Sequence, residues 1–199
     1  MTTILLDTNA YLRLAKRIRP VLGCPFGAKK YVLLILREVE KEVLGNQTLT
    51  FQYPWFTDDE HQSERRSKGI RLTPNEKTDI THARQFLLSY STRSAQSLMT
   101  GGRSPPGSTD CYVLAVAQTK GWIVATDDEG MHAVGREFDI PVFYCFDVLK
   151  KMLSSKLIDS AKVIEIYDAL ERNNDLTKKW VEAKVTHFAK VFRLKTILR

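Results

Sequence analysis

Short apolar runs alternate with stretches of helical periodicity along this chain. Thr3–Leu6 is a brief apolar run ending in Asp7-Thr8-Asn9, after which Tyr11, Leu12, Leu14 and Ala15 recur at helical spacing. Pro20, Gly23, Pro25 and Gly27 then mark a loop. Tyr31–Ile35 is continuously apolar, as befits a strand covered on both faces. Arg37–Leu44 reads as a helix stopped by Gly45-Asn46. Gln47–Gly69 is polar and irregular apart from Phe51, Tyr53, Trp55 and Phe56, and it reads as a surface excursion with a short strand rather than as a second core. Thr73-Pro74-Asn75-Glu76 has the capping-box form with proline at the first helical position, which predicts a helix to about Ser91. Gly101-Gly102 and Pro105-Pro106-Gly107 predict a loop.

Ser108 or Thr109 is the expected cap of the next helix, Cys111–Gln118, which Asp110 opens and whose Val113, Leu114, Val116 and Ala117 are apolar. Gly121 stops it. Trp122–Thr126 predicts a buried strand, Met131–Phe138 a helix, Pro141–Cys145 a strand and Val148–Leu153 a helix. Ser160–Leu170 and Lys179–Phe192 predict a helical tail. Strands alternating with helices argue for a parallel α/β sheet. We expect a single domain over residues 1–199, with an insertion at about 46–108 and a helical tail at about 155–199.

A chain of 199 residues suffices for one well-buried domain and is short for two. Its 43% apolar and 27% charged residues are ordinary for a globular protein. No apolar run approaches the roughly 20 residues that span a bilayer, and no basic stretch precedes the first run, so a cytoplasmic location is expected. Cys24, Cys111 and Cys145 are odd in number and scattered, which argues against a disulfide framework or zinc site. Cys111 and Cys145 fall in apolar runs and read as core. His61, His82, His132 and His187 lack ligand spacing and read as surface or hydrogen-bonded core residues. Net charge is +7, and from Lys150 to Arg199 twelve Lys or Arg face six Asp or Glu. That excess favours an anionic partner, or simply a solvated set of helix faces.

Acids at the ends of the apolar runs change the picture. Asp7 closes the first run, Glu42 lies on the helix after the second, Asp110 opens a helix, and Asp127-Asp128 follow the run Trp122–Thr126. The C-terminal ends of parallel strands are where α/β sheets place ligands. Acids gathered there repel one another unless a cation neutralises them, and carboxylates without histidine or cysteine suit magnesium or manganese. Taken singly, each acid has an ordinary role: an Asx turn at Asp7, a helix dipole at Asp110, a surface turn at Asp127-Asp128, a solvated helix face at Glu38 and Glu42. A phosphatase using Asp7 as nucleophile is disfavoured because Asn9 stands where a second acid is wanted, and no N-terminal acidic pair supports a receiver domain.

Ile4-Leu5-Leu6-Asp7-Thr8-Asn9 resembles the first strand of PIN-domain nucleases, and Thr109-Asp110-Cys111-Tyr112-Val113-Leu114-Ala115-Val116-Ala117 followed by Gly121–Asp128 resembles their later D-x-x-x-x-A-x-A and T-x-D segments. Ile140-Pro141-Val142 is similar to their last strand. The resemblance covers about Ile4–Leu44 and Thr109–Leu149 and leaves Gly45–Ser108 unexplained. It implies a three-layer α/β/α sandwich with a central parallel sheet. It implies a magnesium- or manganese-dependent endoribonuclease whose catalytic and metal-ligating acids are Asp7, Glu42, Asp110 and Asp128. Glu38, one turn before Glu42, competes for the second position, and Asp127 for the fourth. Asn9, Ser108, Thr109 and Thr126 are candidates to orient carboxylates or contact phosphate. As for many small members, the implied partners are an RNA substrate, an antitoxin protein and a second copy of the chain in a homodimer. The alternative is a non-catalytic PIN-like module that binds RNA or protein.

Overall fold

The computed structural model describes residues 1–193. In chain order it contains β1 (Thr2–Leu6), α1 (Thr8–Ala15), β2 (Tyr31–Ile35), α2 (Arg37–Gly45), α3 (Gln47–Gln52), a 3-10 turn (Pro54–Thr57), α4 (Asp59–Ser67) and α5 (Pro74–Arg93). It continues through α6 (Ala95–Thr100), α7 (Ser108–Lys120), β3 (Ile123–Ala125), α8 (Glu129–Glu137), β4 (Val142–Phe143), α9 (Cys145–Ser154), α10 (Ser160–Arg172) and α11 (Lys178–Thr186). The four strands form one sheet in the order β2-β1-β3-β4, and every pairing is parallel. Leu6 pairs with both Ile35 and Ala125, and Ala125 pairs with Phe143, so the strands end nearly level. Consecutive β1 residues Ile4, Leu5 and Leu6 point to opposite faces, yet none is exposed, so helices cover both faces of the sheet.

Local chemistry explains where several helices begin. Asp7 caps α1 by accepting the Ala10 N–H at 2.6 Å. Thr73 and Glu76 form the expected capping box of α5, with Thr73 N–H donating to Glu76 Oε2 at 2.9 Å. The cap of α7 is Gly107, not Ser108 or Thr109: Asp110 reaches back three residues and accepts the Gly107 N–H at 2.8 Å. The last strand is shorter than Pro141–Cys145, because Cys145 already opens α9 and gives its N–H to Asp127 at 2.9 Å. The tail helix ends at Thr186 rather than Phe192. Residues 194–199, the end of the tail expected at about 155–199, lie outside the described residues.

The expected surface excursion Gln47–Gly69 is instead helical and contributes to the core. Phe56 is completely buried beneath Tyr11, the rings meeting edge-on with centroids 5.9 Å apart. Burial on this scale stabilises the fold by about 1.5–3 kcal/mol. Arg65 of α4 is buried too. Its guanidinium donates to the Phe56 carbonyl at 2.8 Å and to Glu40 of α2 at 3.0 Å, and sits 3.8 Å from the Phe56 ring centroid. The excursion looks irregular in sequence because its helices are six to nine residues long and bury at most two side chains each, too few for a period to show. One cluster of buried side chains joins the sheet to Phe56, Ile80 and Leu87 of the insertion and to Tyr167, Trp180 and Phe188 of the tail. Among the tail residues, Val181 is 48% exposed and does not pack. No helix of the described residues is long and apolar enough to cross a membrane.

Candidate active site at the sheet edge

The strand ends decide where the acids fall. The Asp7 N–H donates to the Ala125 carbonyl at 3.1 Å, setting the end of β1 against the end of β3. Asp7 is only 4% exposed. Thr126, also buried, donates its hydroxyl to Asp7 Oδ2, and its own Oγ1 accepts the Asp128 N–H at 3.0 Å. One threonine thus links the acid after β1 to the acid after β3. Glu42 arrives from α2 and accepts the Thr8 hydroxyl at 2.6 Å. Asp110 arrives from the first turn of α7. A Cβ on Gly130 would fall 2.0 Å from the Ser104 carbonyl oxygen, so the absence of a side chain there lets the Gly101–Gly107 loop lie against the start of α8.

Electrostatics register the gathering. Burial, reinforced by the charges of Asp127 and Asp110, pushes the Asp7 carboxyl from its ordinary 3.8 to about 7, against the lowering effect of the Thr126 and Ala10 hydrogen bonds. Burial raises Asp110 as well; Asp128 and Glu42 add to the shift, and the Gly107 N–H opposes it. At the two contested positions the neighbours differ: Asp128 acts on Asp110 and Asp127 on Asp7. The field of Glu42 reaches Asp110, whereas that of Glu38 reaches the Tyr112 hydroxyl. Asp128 caps α8 through Met131 N–H with one oxygen. Asp127 accepts from Arg13, from Trp180 Nε1 at 2.7 Å and from Cys145 N–H, while its charge acts on Asp7.

An all-carboxylate donor set beside a buried acid of raised pKa fits a hard divalent cation in charge and ligand type. In the present side-chain arrangement, however, no group of three or more His, Cys, Asp or Glu among the described residues is placed to hold a metal ion. The reason is visible in the bonds above: Asp7, Glu42, Asp110 and Asp128 each turn an oxygen onto a local threonine or backbone donor.

The other candidates sort plainly. Thr126 orients Asp7, while Ser108 accepts from Arg84 and Asn9 is exposed. Thr8 was not legible as an orienting residue, although it follows Asp7 directly. The Arg13, Asp127, Asp175 and Trp180 cluster was also missed, since its members are far apart in sequence and none carries a motif. His132 is a bonded core residue, with Nε2 3.0 Å from the Thr126 carbonyl and its ring stacked on Tyr144. His61 departs from expectation: it is 4% exposed, and neither ring nitrogen has a hydrogen-bond partner among the described residues, Nδ1 lying 4.0 Å from the Asp58 carboxylate. Cys111 and Cys145 are buried and free, as expected of core cysteines.

No family model matches the sequence, and no curated protein matches it. Among solved structures, the chain is similar to FitAcB from Neisseria gonorrhoeae at 18% identity and a TM-score of 0.43, over 72% of this chain and 98% of that one. It is similar also to FitAB bound to an IR36 DNA fragment, at 18% identity and a TM-score of 0.43, over 71% and 94% of the respective chains.

Proposed function

We propose that this chain is a magnesium- or manganese-dependent endoribonuclease, acting as the toxin of a toxin–antitoxin pair. One observation carries the reading: the charges of Glu42 and Asp128 reach Asp110, and that of Asp110 reaches the buried Asp7, so acids from four separated segments are coupled through Asp110 near the C-terminal ends of a parallel sheet. RNA as the substrate and an antitoxin as the partner rest on the resemblance of Ile4–Asn9 and Thr109–Asp128 to PIN-domain nucleases.

A divalent cation held by Asp7, Glu42, Asp110 and Asp128 would supply Lewis acidity toward a phosphodiester. The chain's own residues do the positioning. Thr126 holds Asp7 and the Asp128 backbone in fixed relation, and Thr8 steadies the otherwise exposed Glu42. Glu42→Gln is therefore expected to lower cleavage by at least about tenfold, and Glu38→Gln by less, as measured by initial rates on one RNA. Equal or reversed effects would move the second position to Glu38.

The direct test is incubation of a mixed RNA pool with the protein in Mg2+, Mn2+ or EDTA, followed by mapping of fragment ends, with single-stranded DNA alongside. Metal-dependent cuts at defined sites support the reading; intact RNA under all three conditions rejects it. A second reading, a non-catalytic PIN-like module binding RNA or protein, draws on the absence among the described residues of any three His, Cys, Asp or Glu placed to hold a metal ion. RNA bound but never cut would favour it.

A further inference from the structure

Beside the acid cluster runs a groove of about 1210 Å3, walled by α2 on one side and by the end of α4, the Gly69–Leu72 link and α5 on the other. It is larger than the roughly 300–1,000 Å3 of small-molecule sites and suits an extended polymer. Six cations line it; Arg65 is paired with Glu40, and the other five are Arg37, Lys41, Arg66, Arg71 and Lys77. All five are exposed, and none has an acidic partner among the described residues. Of the two acids in the lining, Glu40 is already paired with Arg65 at 3.0 Å, which leaves Glu38 alone against the five. The groove and the acid cluster share two elements. Helix α2 gives Glu42 to the cluster and Lys41 to the groove, and α7 gives Asp110 to the cluster and Tyr112 to the groove.

We infer that this groove binds the sugar–phosphate backbone of a single-stranded RNA and leads it to the acid cluster, a proposal that rests on the nuclease reading above. Unpaired cations on both walls can follow a phosphate backbone without reading its sequence. The half-buried Tyr112 ring, with Leu72 and Ile70 beside it, offers apolar surface to bases. The basic tail is less suited to the task despite its larger charge excess. Lys184 lies 4.6 Å from the Phe192 ring centroid, Lys151 4.7 Å from that of Phe143 and Lys179 5.9 Å from that of Tyr144, so these three lysines keep their charge but are held over the protein's own rings rather than free to follow a phosphate backbone. Lys195 and Arg199 lie outside the described residues.

The test is fluorescence anisotropy of a labelled mixed-sequence single-stranded RNA, in EDTA to prevent cleavage, across a series of KCl concentrations. The full chain is compared with a groove variant (Lys41→Gln, Arg71→Gln, Lys77→Gln) and a tail variant (Lys178→Gln, Lys179→Gln, Lys190→Gln), each checked for an unchanged melt. Three lost phosphate contacts should weaken binding at least about tenfold and flatten the salt slope by about 2, at roughly 0.7 per contact for single strands. The tail variant should stay within about twofold of wild type. Unchanged affinity and slope in the groove variant, or the loss appearing in the tail variant instead, overturns the proposal. Displacement of the RNA by poly-glutamate at equal charge overturns it in favour of an acidic protein partner. Metal-dependent cleavage by wild type separates the two claims: cleavage with normal binding by the groove variant sinks the path alone, and weakened binding without any cleavage sinks the nuclease alone.

Discussion

Asp7→Asn is expected to reduce metal-dependent RNA cleavage by at least about a hundredfold while making the metal-free protein more stable at neutral pH. Asp110→Asn should match the loss of cleavage. The stability gain at Asp7 follows from its raised pKa. A buried carboxyl lifted from 3.8 to about 7 binds its proton more tightly folded than unfolded. Its contribution is therefore complete below about pH 4 and disappears as pH rises to about 7. The amount lost is on the order of 4 kcal/mol at most. Thermal melts in EDTA should show wild type weakening across that window and Asp7→Asn nearly flat, with the two converging toward pH 4. Parallel melts at every pH would show that Asp7 is not the strained group, and undiminished cleavage in both variants would remove the site itself.

Asp127→Ala should act on the fold rather than on the chemistry, with a loss of about 3–5 kcal/mol. For a chain of this size that lowers the melting temperature by roughly 10 °C. Its carboxylate is 6% exposed and bonds Arg13, the Trp180 indole and the Cys145 N–H. Removing it strands two N–H donors and leaves Arg13, 11% exposed, with Asp175 as its remaining ion-pair partner. Asp128→Ala, which loses one helix cap and one exposed-side carboxylate, should cost only about 1 kcal/mol while abolishing most cleavage. Denaturant melts and initial rates on the two variants distinguish these roles. A marginal loss for Asp127→Ala would show that the tail is held by packing of Trp180 and Phe188 and not by this cluster.

Interactions between near neighbours were legible in the sequence. Continuous apolar runs placed β1, β2 and β3, because a strand buried on both faces has no polar side to show. The capping box at Thr73 placed the start of α5 because its two reciprocal bonds span three residues. Asp7, Asp110 and Asp128 stand out as candidates in the sequence because each follows or opens an element recognisable on its own.

Only the tertiary structure decided what depends on distant partners. Which neighbours the contested acids meet is one example: Glu42 and Asp128 act on Asp110 and Glu38 on Tyr112, while Asp127 bonds Arg13 and Trp180 and acts on Asp7. The helical character of Gln47–Gly69 depends on Tyr11 receiving Phe56 and on Glu40 meeting Arg65, groups supplied by elements outside the segment. Likewise, five scattered cations became a groove only when α2 came to lie beside α4 and α5. Apolar period and capping are set within a few residues, so the chain displays them directly. Electrostatic fields, buried ion pairs and grooves depend on separations in space, which come into existence only when the sheet closes and the insertion and tail pack against it.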